Sequence, residues 1–153
     1  MNIGFANGCF DLFHTGHEHF LRECTKHCDY LIVAVNSDRY CTRVKGPDRP
    51  VWTWARRMQF VRTIASAVIP FEGREEHLIA EIRPDVVFKG ADHAPEFHTA
   101  LFMRVPGWKS AGREAWDTIP IIVIPRLPGI STSTEIARLG LPGASQEAKN
   151  APP

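Results

Sequence analysis

Two histidines three positions apart, His14 and His17, stand either side of Thr15 and Gly16. Ahead of them runs Asn7-Gly-Cys-Phe-Asp-Leu-Phe13, a glycine turn that follows the short apolar run Ile3–Ala6. Gly8 permits a tight turn and a close approach of backbone to a ligand. Beyond His14 the pattern becomes helical: His17, Phe20, Leu21, Cys24 and Cys28 recur at three- and four-residue steps, which predicts one buried helix face. Thr15 and Glu18 have capping-box spacing, so the helix is expected to begin at Thr15. A helix start offers free amides and a partial positive charge to an anion. Two imidazoles beside it can donate hydrogen bonds to phosphoryl oxygens as charge develops on them. A lone histidine there is more often a core or surface residue. His-x-Gly-His straddling a helix start after a glycine turn favours phosphate chemistry.

Two later segments carry the same chemistry. Asn36 to Arg62 holds seven cationic side chains (Arg39, Arg43, Lys45, Arg49, Arg56, Arg57 and Arg62) against only Asp38 and Asp48. Such a local excess would recruit a triphosphate and a phosphorylated second substrate. Lys45-Gly46-Pro47 reads as a flexible loop after a strand, suited to a phosphate clamp, and Arg56 as part of a solvated helix face. Arg126-Leu-Pro-Gly129-Ile-Ser131-Thr132 repeats the first segment's logic, with hydroxyls at a helix start and Thr132 as a candidate cap.

The elements that must hold these groups alternate in type. Strands are expected at Ile3–Ala6, Tyr30–Val35, Val68–Phe71, Asp85–Lys89 and Ile119–Ile124. Helices are expected from Thr15, over Thr53–Ala67, over Glu75–Ile82 ahead of Arg83-Pro84, and after Thr132. This order implies an α/β fold, a Rossmann-like doubly wound sheet of about five parallel strands in a single domain. The domain is expected over residues 1–141, with a flexible tail over 142–153, and residues 93–117 read as a helix plus an irregular loop. In such sheets ligands bind beyond the carboxyl ends of the strands, where all three segments fall.

Composition narrows the function. The chain has 153 residues, 18 basic and 17 acidic, and a net charge of +1. That balance speaks against a basic nucleic-acid binder, and no apolar run approaches the roughly 20 residues that span a bilayer. The N-terminus lacks the basic and apolar regions of a secretory signal, so a cytoplasmic protein is expected. Cys9, Cys24, Cys28 and Cys41 are then expected as free thiols. Cys24 and Cys28 lie four apart on the apolar helix face with His27 nearby; buried thiols are the commoner reading, because the two-residue spacing of zinc and redox pairs is missing. Cys9 is explained by its turn position. Trp52 and Trp108 are candidates for an interface.

Gly8-Cys-Phe-Asp11, His14-x-Gly-His17 and Gly129-Ile-Ser-Thr132 together resemble the cytidylyltransferase-like nucleotidyltransferases, from residue 3 to about 140. Within them, Val35-Asn-Ser-Asp38, Arg43-x-Lys-Gly-x-x-Arg49-Pro-Val51 and Lys89-Gly-Ala-Asp92 resemble the adenylyltransferase domain of the ADP-heptose synthases. Arg126-x-x-Gly-Ile-Ser-Thr132 is more similar to the glycerol-3-phosphate cytidylyltransferases. The resemblance implies transfer of a nucleoside monophosphate from an NTP, ATP favoured, to a sugar phosphate such as heptose 1-phosphate, with release of pyrophosphate. CTP with glycerol 3-phosphate or a similar polyol phosphate is the alternative. A non-catalytic nucleotide-binding module on the same fold is a third. The resemblance implies His14, His17, Lys45 and Arg126 as catalytic. It implies Gly8, Cys9, Phe10, Asp11, Gly16, Arg57, Lys89, Gly90, Asp92, Gly129, Ile130, Ser131 and Thr132 as nucleotide-binding. It further implies Mg²⁺ held mainly by the nucleotide's phosphates, no protein metal site, no nucleic-acid or membrane partner, and a homodimer.

Overall fold

In the computed structural model the described residues are 1–73, 75–91, 102–104 and 118–142. The chain forms β1 (Ile3–Gly8), α1 (Thr15–Thr25), β2 (Tyr30–Asn36), α2 (Asp38–Lys45), α3 (Trp54–Val61) and β3 (Ala67–Phe71). It continues with α4 (Glu75–Ile82), β4 (Val86–Gly90), β5 (Phe102–Arg104), β6 (Thr118–Ile124) and a last helix, α5 (Thr132–Arg138). The sheet order is β3-β2-β1-β4-β6-β5. The first five in that order run parallel, with Ile3 opposite Tyr30 and Gly8 opposite Val35 between β1 and β2. The chain steps outward from β1 to β3, then restarts on the other side of β1 with β4. That reversal opens a crevice between the ends of β1 and β4, where open α/β sheets bind ligands.

Both sheet faces are covered, so the central strands alternate between two cores. Ala6, Leu31, Val33, Val35, Val86 and Phe88 face the cluster that takes Leu21 and Cys24 from α1 and Val61 from α3. Phe5, Ala34 and Val87 face the other, with Ile79 of α4. Burial on both sides is what makes these strands read as unbroken apolar runs. Pro70 is tolerated because β3 is an edge strand, where a missing donor costs no ladder bond. Among the described residues no helix is long and apolar enough to cross a membrane.

The structure departs from the sequence expectations in five places. A helix, α2, occupies Asp38–Lys45, where no helix was expected and Lys45 was placed in a loop: Ser37 Oγ caps it by accepting from Tyr40 N at 3.0 Å, and Gly46 ends it at φ 102°. Helix α3 is shorter than Thr53–Ala67, because Thr63 and Ile64 switch to tight i to i−3 bonds on Phe60 and Val61 while Ile64 and Ala65 still pack on the core. Helix α1 is capped by His14, not Thr15, and α5 by Ser131, not Thr132. A sixth strand, β5, pairs antiparallel with β6 in the stretch expected as helix and loop. The tail expectation concerns residues that, beyond 142, lie outside the described ones, as does Trp108. Trp52 is half-buried, stacked on Phe60 at 4.9 Å with the Arg56 guanidinium over it at 4.2 Å.

Gly4 shows how tightly the layers close. A Cβ there would sit 2.5 Å from the Phe88 ring and 2.7 Å from Cys28 Sγ. Gly4→Ala is expected to destabilise the fold by about 1–3 kcal/mol through overpacking, read as a lowered urea midpoint at unchanged m-value.

Candidate active site

The site is built around the start of α1. His14 is its N-cap: the ring Nδ1 accepts from Gly16 N at 3.1 Å and from His17 N at 3.4 Å. His17 reciprocates, its Nδ1 accepting from His14 N at 3.4 Å. An acceptor nitrogen carries no proton, so each neutral ring carries its proton on Nε2. The two rings stack with centroids 3.8 Å apart. Thr132 Oγ1 donates to the Asp11 carbonyl oxygen at 3.2 Å and lies 3.3 Å from His14 Nε2, which therefore donates to it. The C-terminal hydroxyl motif thus holds the first histidine in place. Gly16 is required by the same contact, since a Cβ would stand 2.9 Å from the His14 ring.

The loop before α1 is held by its one carboxylate. Asp11 is 1% exposed. It accepts from Arg49 Nε at 2.9 Å, Val51 N at 2.9 Å, Trp52 N at 3.0 Å and Leu12 N at 3.1 Å. Its neighbours Phe10 and Leu12 sit at φ 51° and 47°, a left-handed region that non-glycine residues enter only when their surroundings impose it.

A cavity of about 550 Å³ opens above this frame. His14, Gly16 and His17 line it with Lys45 and Arg126. So do Gly8, Cys9 and Phe10 of the first loop, Lys89 and Gly90 of β4, and Ile130, Ser131 and Thr132 before α5. Three expected residues do not reach it. Asp11 lies behind the loop that it orders, and Gly129 only shapes the turn at φ 73°. Arg57 is fully buried and its guanidinium is spent on protein oxygens: Trp52 O at 3.1 Å, Cys9 O at 2.5 Å, Asn36 O at 2.8 Å and Asp38 Oδ1 at 2.7 Å. Arg57 is a strut rather than a phosphate grip. Asp92 lies outside the described residues. Asn7, Asn36, Tyr40 and Glu75 line the cavity without having been anticipated. Asn36 and Tyr40 flank Ser37-Asp38, whose capping signal was the available clue. Lys89 Nζ donates to Asn7 Oδ1 at 3.1 Å and pairs with Glu75.

The electrostatics favour neutral imidazoles and bound anions. Burial, together with the cations Arg126 and Lys45, holds the His14 pKa below its ordinary value, with Glu135 opposing. Burial among Phe10, Phe13 and His14 holds His17 well below, helped by the charges of His14, Lys45, Arg126 and Arg49. Neutral Nε2–H groups beside Lys45 and Arg126 can donate to a phosphoryl group without losing a proton to solvent. Cys24 and Cys28 are free thiols raised in pKa by burial. Among the described residues no three His, Cys, Asp or Glu side chains converge as metal ligands.

The cytidylyltransferase-like family matches residues 5–138, from Phe5 in β1 to the end of α5. The chain belongs to the cytidylyltransferase-like family. It is a nucleotidyltransferase domain on a Rossmann-like sheet. It is 40% identical over 141 residues to the bifunctional protein HldE of Acidiphilium cryptum, covering 90% of this chain and 27% of that protein. It is 47% identical over 94 residues to the bifunctional protein HldE of Azotobacter vinelandii, covering 60% of this chain and 20% of that protein. The chain thus spans about a quarter or less of these relatives. Among solved structures, a lipopolysaccharide core biosynthesis protein from Thermoplasma volcanium superposes with TM-score 0.57 at 26% identity, over 64% of this chain and 82% of its own. The pantoate-beta-alanine ligase of Francisella tularensis shares the fold at TM-score 0.51 and 13% identity, over 90% of this chain and 69% of its own.

Two outcomes follow from the histidine frame. Gly16→Ala pushes the His14 ring aside without disturbing a core, so stability is expected to fall by no more than about 1 kcal/mol, the loss of one helix cap, while kcat falls on the order of a hundredfold, as misplacement by about 1 Å allows. Folding stability is also expected to fall with acidification. The unfolded chain protonates its histidines near pH 6.5 and the folded one does so only lower. The contribution is therefore complete above about pH 6.5 and lost as pH drops toward the folded values, at up to about 1.4 kcal/mol per pH unit for each ring. Urea midpoints from pH 8 to 5 check this, with His17→Gln expected to flatten the decline.

Proposed function

We propose that this chain transfers the adenylyl group of ATP to the phosphate of a sugar 1-phosphate, heptose 1-phosphate being the favoured acceptor. The observation that carries the reading is the pair of stacked imidazoles, with Nδ1 engaged by backbone, lining a cavity that Lys45 and Arg126 make cationic. The likeness to the HldE proteins at 40–47% identity, with the resemblance of Val35–Asp38, Arg43–Val51 and Lys89–Asp92 to the adenylyltransferase domain of the ADP-heptose synthases, supports the adenylyl donor and the heptose acceptor.

The acceptor phosphate oxygen attacks the α-phosphorus in line. The bond to the bridging oxygen of the β-phosphate breaks, and pyrophosphate departs with the electron pair. No protein nucleophile takes part. His17 donates to the α-phosphoryl oxygens, where charge grows, His14 does so by exchanging its Thr132 contact for the phosphate, and Lys45 takes the incoming phosphate. Arg126 and the Ser131–Thr132 turn hold the β- and γ-phosphates at the start of α5. Positioning and fixed charge supply most of the acceleration. Mg²⁺ suits this cavity only as a passenger of the triphosphate, whose own oxygens hold it. The cavity's carboxylate Glu75 is already paired with Lys89.

Pyrophosphate release is measured with ATP, CTP, GTP and UTP crossed against heptose 1-phosphate and glycerol 3-phosphate. ATP with the heptose is expected to give the highest kcat/KM, and faster turnover of CTP with glycerol 3-phosphate overturns the substrate assignment. His14→Ala and His17→Ala are each expected to lower kcat about 10²–10³-fold, the usual loss of one transition-state donor. Near-normal turnover in the double variant removes the histidines from the mechanism.

A further inference from the structure

The cavity floor holds a nucleophile that adenylyl transfer leaves idle. Cys9 follows β1, lines the cavity and is a free thiol. Asn36 Nδ2 points to its Sγ across 4.0 Å. The Cys41 thiol of α2 lies beside it, its S–H donating to the Asn36 carbonyl oxygen. Cys41 is fully buried, with Sγ 3.9 Å from the Asn36 carbonyl oxygen. Two thiols therefore meet at Asn36, one facing the cavity and one behind it. The geometry points to Cys9 as an oxidation site for small hydroperoxides that enter the nucleotide cavity, with Cys41 as the resolving thiol.

The surroundings explain why this cysteine and not another. Cys9 is drawn down to about 6 by the neighbouring Cys41 thiol first, then by Lys45, Asn36 and Arg57, against the opposing effect of burial. Lys45 and Tyr40 approach from α2 and Arg57 from α3. Cys41 is pushed up by the neighbouring Cys9 and by burial, so it stays a thiol. Cys24 of α1 and Cys28 beyond its end are pushed up with no cation to offset burial. The thiolate is the reacting form, so Cys9 is set apart from the other three.

The chemistry closes without a further reactant. The Cys9 sulfur attacks one peroxide oxygen, the O–O bond breaks, and the departing oxygen takes a proton to leave as water or an alcohol. Cys9 is then a sulfenic acid. The Cys41 sulfur attacks it, giving up its proton; the S–O bond breaks, water leaves, and a Cys9–Cys41 disulfide forms. Two thiols are oxidised and one hydroperoxide is reduced. The new bond ties the first loop to α2 across the cavity floor, and a bound nucleotide shields the sulfur from the oxidant.

The test is peptide mass spectrometry on the full chain and does not depend on turnover. Brief iodoacetamide labelling at pH 6.5 is expected to modify Cys9 at least tenfold faster than Cys24 or Cys28, half-maximally near pH 6. Hydrogen peroxide is expected to yield a Cys9–Cys41 linked peptide that dithiothreitol removes, and added ATP to slow its formation. In Cys41→Ser the reaction is expected to stop at a Cys9 sulfenate that dimedone captures. Equal labelling of Cys9 and Cys28 in the unaltered chain overturns the proposal. So does a peroxide-treated chain in which Cys9 never links to Cys41.

Discussion

Asp11 carries a carboxylate where water scarcely reaches, and the geometry of the site hangs from it. Its four acceptor contacts draw in the Arg49 guanidinium and three backbone amides, two of them from the segment that leads into α3. A buried charge is tolerated only when paired and hydrogen-bonded in this way, and removing one partner typically costs about 3–5 kcal/mol. The left-handed backbone at Phe10 and Leu12 is held by these bonds. With the loop fixed, the Asp11 carbonyl becomes a platform for Thr132, and Thr132 in turn for His14. One ionic contact thus sets the relation between the first loop and the start of α5, although 121 residues separate Asp11 from Thr132.

The same economy governs the histidines. A helix start needs acceptors for its free amides, and serine, threonine or aspartate usually supply them. Here an imidazole does so, and capping fixes its tautomer as a by-product. The other nitrogen must then be a donor in the neutral ring, and in His14 it donates to Thr132 Oγ1. Burial keeps the ring neutral, so the proton needed for a phosphoryl contact is present near neutral pH.

What the sequence makes legible follows the strength of local signals. The parallel strands showed as apolar runs because both their faces are buried, and α4 showed because acidic residues open it and Pro84 follows its end. That His14, His17 and the Ser131–Thr132 turn meet at one cavity was readable because spacing and turn residues mark them. Helix α2 was hidden by its mean polarity and by the pull of Gly46-Pro47, although Ser37 and Gly46 are its cap signals. Thr15 looked like the cap because it carries a hydroxyl; the choice of His14 depends on a ring folding back over Gly16, which no propensity encodes. Strand β5 exists only through pairing with β6, a long-range fact. Arg57 was misread because a run of cations does not reveal which member points inward.

Arg57 also limits how this sequence can drift. One planar group serves three carbonyls and a carboxylate arriving from the first loop, β2, α2 and the approach to α3. Lysine offers a single ammonium on a flexible stem and cannot span four acceptors in that fork. The position is therefore closed even to a conservative exchange, despite standing outside the cavity lining. Invariance at such a residue would record architecture and invite mistaken assignment to chemistry.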